Sequence, residues 1–265
     1  MKNLAKSLAI LTFASLACAA AVAQTLEVSG STTVQEYAFK NAGDKLKTVT
    51  GMDIKFLPVG SGKGLIALAE GKVTVSATSE TLNDTVESAK KAAKDMDKTF
   101  TAPSNLVFHE ISLDSIVVIV NSENTVTSLT KAQLKDLNTG KVKNWKEVGG
   151  PDLPVRVISS SPGSATRDVF QKQMMDGADY VAGFTEIRTT KENTTKEEIN
   201  EVSKEKGGIG AVSEAFFAAN PGKTKIVKAP FIVRPLALIT AGQPKPEVQK
   251  MIDYFKSAEG KKNMQ

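Results

Sequence analysis

The 265-residue chain holds one cysteine, one histidine and one tryptophan. A disulfide framework needs at least two cysteines, so none is possible within the chain. A zinc centre needs several His or Cys ligands and finds none to assemble. A Ser/His/Asp hydrolase would have to use His109, flanked by Phe108 and Glu110, as its base. No G-x-S-x-G elbow occurs to present a nucleophile, and His109 reads as an ordinary strand-edge residue. No apolar run reaches the roughly 20 residues of a membrane span. Charge of one sign is also scarce: 34 Lys and Arg stand against 29 Asp and Glu, interspersed along the chain. A long basic groove for nucleic acid is therefore not expected. Trp145, alone in a loop, reads as a packing plug.

What is present begins with a leader. Lys2 and Lys6 precede an apolar run from Leu8 to Ala17, and Ala21-Val22-Ala23 comes before Gln24. This is the three-part pattern of a secretory signal with a small-x-small cleavage site. Cleavage after Ala23 discards Cys18, whereas the competing reading makes Cys18 a lipid attachment site. Without Lys2 and Lys6, 32 basic side chains face 29 acidic ones. The expectation is a chain exported from the cytoplasm, with residues 1–23 removed.

The remaining residues alternate between the two hydrophobic periods. "TLEVSG" reads as a strand, and Glu36 to Thr48 as a helix with Tyr37, Phe39, Ala42 and Leu46 near helical spacing. "MDIKFLPV" and "VTVSAT" read as strands, each followed by a turn and a helix. Ser115 to Asn121 carries apolar residues on both parities, which a strand buried on both faces requires. "LPVRVISS", "GGIGAV" and "PFIVRPLALIT" add further strands, and "EVQKMIDYFKSAEG" a closing helix. Thr189 to Lys206 reads as a solvated polar helix, Lys90, Lys91 and Lys94 as a wet helix face, and Met174 and Met175 as core. Such alternation predicts an α/β layer built on parallel strands.

One device recurs. Four turns follow strands and open helices: "SGSTT" (Ser29 to Thr33), "GSGKG" (Gly60 to Gly64), "SATSE" (Ser76 to Glu80) and "SSSPGSAT" (Ser159 to Thr166). Any one of them is accounted for by the preference of Ser and Thr for turns and helix caps. All four together, at the carboxyl ends of strands in an open sheet, predict a shared anion site. Neutral hydroxyls and amides can solvate a tetrahedral oxyanion without the desolvation cost of burying several cations. The expected site is therefore rich in hydroxyls and poor in cations. "GSGKG" is not a nucleotide loop, because Leu57 stands where the first glycine belongs and Gly64 where a Ser or Thr should hold magnesium.

With these turns in view, the chain resembles the phosphate-binding proteins of ABC transporters. The likeness is carried by "VSGSTTV", "VGSGKGL", "DSIVVIVNSEN", "SLTKAQLKDLNTGKVKNWKEVGGPDLPV", "PGSATRDVF", "GGIGAV", "IVRPLALIT" and "SAEGKK". The resemblance implies a two-lobed type II periplasmic binding protein fold, each lobe a mainly parallel sheet flanked by helices, with the ligand cleft between the lobes. It divides the chain into residues 24–112 plus 230–265 for one lobe and 113–229 for the other. Carried over by position, it assigns ion binding to Ser31, Thr32 and Thr33 in the first turn and Ser61 in the second. In the fourth turn it assigns Gly163, Ser164, Ala165 and Thr166, with Arg167 lending positive charge. It also implies phosphate or a related oxyanion as ligand, an ABC permease as partner, a monomer, no metal or cofactor and no catalytic step.

The family pattern further implies an aspartate in the third turn and an arginine ahead of the fourth. Ser79 and Ser160 stand in those places, with Glu80 adjacent as a substitute acid. Sulfate, arsenate, molybdate and an organic phosphate therefore stay open as ligands. Two readings from other classes remain beside this one: an accessory protein that keeps the fold but acts through protein contacts, and a hydrolase using one of the turn serines.

Overall fold

The computed structural model describes residues 25–188 and 194–264. The expected leader with Cys18, and the start of the polar stretch at Thr189, lie outside the described residues. The chain opens with β1 (Thr25–Gly30) and α1 (Thr32–Val34), which runs on as a π-helical turn, Gln35–Phe39. Then come α2 (Gly43–Thr50), β2 (Asp53–Leu57), α3 (Ser61–Ala69), β3 (Val75–Thr78) and α4 (Leu82–Lys94). The long strand β4 (Leu106–Asn121) leads to α5 (Lys131–Asn138), β5 (Arg156–Ser160), α6 (Ala165–Met174) and β6 (Thr185–Ile187). After α7 (Thr194–Lys204), β7 (Gly208–Ser213) and α8 (Glu214–Ala219), a second long strand β8 (Thr224–Ala241) returns to α9 (Pro246–Lys256) and α10 (Ala258–Asn263).

The strands form one curled sheet in the order β2-β1-β3-β8-β4-β7-β5-β6. Toward each edge the pairing is parallel, β2 and β3 with β1, and β6 and β7 with β5. The long strands β4 and β8 pair antiparallel with one another along most of their length, with irregularities between Glu110 and Ser112 and between Ile116 and Val118. They join two separate sets of cores. Residues 26–111 and 236–264 supply the clusters under β1 and α3, whereas residues 116–232 supply those under β5 and β7. The crossing lies where Leu113 faces Pro235 and Ser115 faces Val233.

The helix expected over Glu36 to Thr48 is split, with α2 starting only at Gly43. Phe39 explains the break: its ring packs 4.9 Å from Phe56 and 5.0 Å from Phe255, and the widened π turn carries it there while Ala42 and Leu46 stay buried. Trp145 is fully buried and donates Nε1–H to Gly207 O at 2.9 Å, and Met174 and Met175 lie in the core. His109 sits on β4 opposite Leu238 of β8, beyond the stretch that pairs with β7, and contacts Thr240 Oγ1 at 3.0 Å. One expectation of a solvated helix is corrected. Thr195, Glu198, Ile199 and Val202 form a buried face of α7, because β5 and β7 need cover. Lys90, Lys91 and Lys94 lie exposed on α4 as expected, and Lys91 also pairs with the buried Asp168 of α6 at 3.0 Å.

Two glycines set the packing near the turns. Gly30 has φ +140°, and a Cβ there would stand 2.1 Å from Ala77 O. A Cβ on Gly64 would stand 2.4 Å from Gly30 Cα. The first turn, the end of β3 and the start of α3 approach this closely only because neither residue has a side chain.

Candidate anion site

The four hydroxyl-rich turns meet in a ring of direct contacts. Ser31 Oγ accepts from Val34 N–H at 3.3 Å, capping the first turn, and donates to Ser79 Oγ at 2.9 Å. Ser61 Oγ accepts from Ser79 N–H at 3.3 Å, tying the second turn to the third. Gly62 N–H donates to Gly163 O at 3.3 Å, tying the second turn to the fourth. The first and fourth turns are joined by Arg234 of β8, whose Nη2 donates to Thr33 Oγ1 at 3.1 Å and Nη1 to Thr166 Oγ1 at 2.9 Å. Each of these hydroxyl residues is less than a tenth exposed.

The direction of these bonds matters more than their number. A serine or threonine hydroxyl has one hydrogen and two lone pairs. Thr33, Thr166, Ser61 and Ser79 each accept in the ring, so each keeps its own O–H available to donate. Arg234 has five N–H groups, of which four go to Thr33, Thr166 and Asp114. One Nη1 N–H is left over among the described residues. The ring therefore presents unused donors that can turn toward a guest, which is what a small anion needs in place of water.

Arg234 overturns the expectation of a site poor in cations. Its side chain is 1% exposed, and Asp114 of β4, also 1% exposed, accepts from Nε at 2.9 Å and Nη2 at 2.8 Å. Ser213 donates to the other Asp114 oxygen at 2.9 Å. A guanidinium so deep requires this partner, since an unpaired buried charge is costly. Both residues lie within strands rather than in the hydroxyl-rich turns, and so outside the expected site. A signal was there: each is a lone charge inside a strongly apolar strand, in "LDSIVV" and "IVRPL", and the two are directly opposite in the β4–β8 ladder.

The other expected residues divide. Thr32 is buried in the first turn of α1, and Ala165 in that of α6. Ser164 occupies the N-cap of α6 yet makes no side-chain capping bond among the described residues. Gly163, at φ +80°, packs where a Cβ would meet Ala92 at 2.7 Å. Ser160 turns away from the ring and donates to Glu198 Oε2 at 2.8 Å. Arg167 also faces elsewhere, donating to Ser160 O at 3.0 Å, lying 3.6 Å from Glu186 and stacking 5.3 Å from the rings of Tyr180 and Phe184. Glu80 Oε2 lies 3.0 Å from Ser88 Oγ, and among the described residues Glu80 makes no bond to the ring. Burial pushes its carboxyl up to about 8, and the same cause pushes Glu198 up to about 7.

The chain is similar to proteins described as phosphate-binding. The phosphate-binding protein PstS of Bacillus subtilis (strain 168) is 30% identical over 192 residues, 72% of this chain and 58% of that protein. PstS of Staphylococcus epidermidis is 34% identical over 145 residues, 53% of this chain and 42% of that protein. The chain thus spans about half the length of the curated relatives it matches. Among solved structures, one from Clostridium perfringens with bound phosphate superposes with a TM-score of 0.74 at 24% identity, over 91% of this chain and 96% of that one. An ABC-type phosphate transport receptor from Vibrio cholerae gives 0.67 at 21% identity, over 91% and 97%. These likenesses establish a shared fold. The family model of the PBP superfamily domain matches residues 17–233, most of the chain, and the protein belongs to that superfamily.

Proposed function

We propose that the protein is the solute receptor of an ABC importer and binds phosphate or a closely related oxyanion. The observation that carries this is the set of donors left over in the ring. Four buried hydroxyls accept internally and keep their hydrogens, beside one uncommitted N–H of Arg234. Such a ring solvates a tetrahedral ion by hydrogen bonds while the Arg234–Asp114 pair keeps the local formal charge near zero. The relatives described as phosphate-binding support the same ligand class. The reading has no catalytic step and needs a membrane permease as partner, with export by the leader.

The two sets of cores support lobes that meet around the ion and part along β4 and β8. The proposed lobes are residues 24–112 plus 230–265, and residues 113–229. Ile232, just past the second boundary, packs with the 116–232 core. Calorimetry of the full chain tests the function. One equivalent of phosphate bound at micromolar concentration or tighter is expected, and absence of heat with phosphate, sulfate, arsenate and molybdate overturns it.

A further inference from the structure

Beside the ring, α4 and α6 flank a groove of about 830 Å³ that includes Glu80, Ser88 and Asp168 in its wall. Glu80 is 1% exposed and Asp168 9%. Ser88 Oγ lies 3.0 Å from Glu80 Oε2 and 2.8 Å from Asp168 Oδ2. A hydroxyl has a single hydrogen and can donate to only one of these oxygens. The other contact is a hydrogen bond only if that carboxyl carries a proton and donates to Ser88.

The surroundings decide which carboxyl it is. Asp168 Oδ1 accepts from Lys91 Nζ at 3.0 Å, and Asp168 lies in the first turn of α6, where the helix dipole favours negative charge. Glu80 has no cation in contact, and its Oε1 is buried without a partner among the described residues. The proton therefore belongs on Glu80, in a relay from its carboxyl through Ser88 to the Asp168 carboxylate and Lys91.

Glu80 and Ser88 belong to the half built on β1 and α3, and Asp168 to the half built on β5. We propose that Glu80 takes up a proton from solvent when the halves close, so that ion binding is coupled to protonation of a residue outside the ion's seat. This rests on the receptor reading, in which closure accompanies binding. The charged groups facing Glu80 agree. Asp168 from α6 and Asp84 from α4 favour its neutral form, and only Arg234 from β8 opposes them. Asp84 is itself engaged by Lys172 of α6 at 2.6 Å. Burial is the largest cause, and the carboxyl is pushed up to about 8. A carboxyl raised on closure favours the closed form at low pH. That advantage is complete below its ordinary value and fades, by about tenfold per pH unit, until the raised value is passed.

The test is calorimetry of phosphate binding near pH 6.5 in buffers of different ionisation heat, for the parent and Glu80→Gln. The amide donates to Ser88 as the protonated acid does, and the proton exchange of phosphate itself cancels in the comparison. The parent should take up about one proton more per phosphate than Glu80→Gln, and equal counts overturn the proposal. Should Glu80→Gln not fold, Asp168→Asn serves instead. It frees the Ser88 hydrogen for the Glu80 carboxylate and should reduce the uptake, whereas unchanged uptake overturns the proposal. If phosphate gives no heat with any of the proteins, the receptor reading fails and thermal unfolding of the ligand-free protein decides. The parent should then lose stability relative to Glu80→Gln as pH rises from about 5 to about 8, and a difference independent of pH overturns the proposal.

Discussion

Asp114 and Arg234 face each other across the β4–β8 ladder and are joined by two hydrogen bonds to a single carboxylate oxygen, with both side chains 1% exposed. The pair sits where the two sets of cores join. From there the guanidinium reaches Thr33 of the first turn and Thr166 of the fourth. In the proposed receptor, stability and ligand binding thus fall on the same side chain.

Separating those two roles is the first prediction. Asp114→Ala leaves Arg234 buried without its carboxylate and should destabilise the fold by about 3–5 kcal/mol, seen as a lower urea midpoint. The double variant Asp114→Leu with Arg234→Met should recover much of that loss and still fail to bind phosphate. Retained binding in the double variant would remove Arg234 from the site.

The second prediction concerns the leftover hydroxyl hydrogens. Thr166→Val and Ser79→Ala each delete one donor to a buried anion and should weaken phosphate binding by about 1.5–3 kcal/mol. Ser160→Ala should weaken it far less, because the Ser160 hydroxyl is committed to Glu198. Titration calorimetry of the three variants checks the ranking. Equal losses would mean that the ring contacts do not define the seat.

Glu198 gives a prediction in pH. Burial is the main cause that pushes its carboxyl up to about 7, opposed by hydrogen bonds from Ser160 and the Ala211 N–H. A group raised in the folded state lends stability that is complete below its unfolded value and is lost as pH rises through the folded one. The parent should therefore lose stability between about pH 4.5 and 7, by an amount on the order of 3 kcal/mol. Glu198→Gln should flatten this slope in denaturant melts taken across that range.

Gly64 offers a steric test. Gly64→Ala places a Cβ against the Gly30 backbone, 2.4 Å from its Cα, and so forces α3 away from the first turn. Misplacing Ser61 relative to Ser79 should reduce phosphate affinity at least tenfold, about 1.4 kcal/mol. The helix itself should gain slightly from alanine. Unaltered affinity would show that the close approach of α3 to β1 is not needed for binding.

Much of the fold was legible because it follows from local periodicity. Apolar alternation followed by a hydroxyl-rich turn marked β1, β2, β3 and β5 with their helices, and the run from Ser115 to Asn121 marked the buried part of β4. Trp145 is buried as a packing plug, as expected, although its Nε1–H finds its partner at Gly207, 62 residues on. The split of the helix after Phe39 was not legible, because it depends on Phe56 and Phe255, which are distant in sequence. Nor was the buried face of α7, since a helix carrying Glu198 looks solvated until Ser160 and Ala211 are seen to satisfy the carboxyl.

The sequence by itself determined that strands feed hydroxyl-bearing turns, and so that the chain owns the donors an anion requires. Only the tertiary structure decided which donors remain free, because a hydroxyl's role is set by the partner across from it: Thr33 and Thr166 keep their hydrogens because each accepts from Arg234, while Ser160 is absorbed by Glu198. Those partners lie 38 to 201 residues away in the chain, a separation that no local pattern reports.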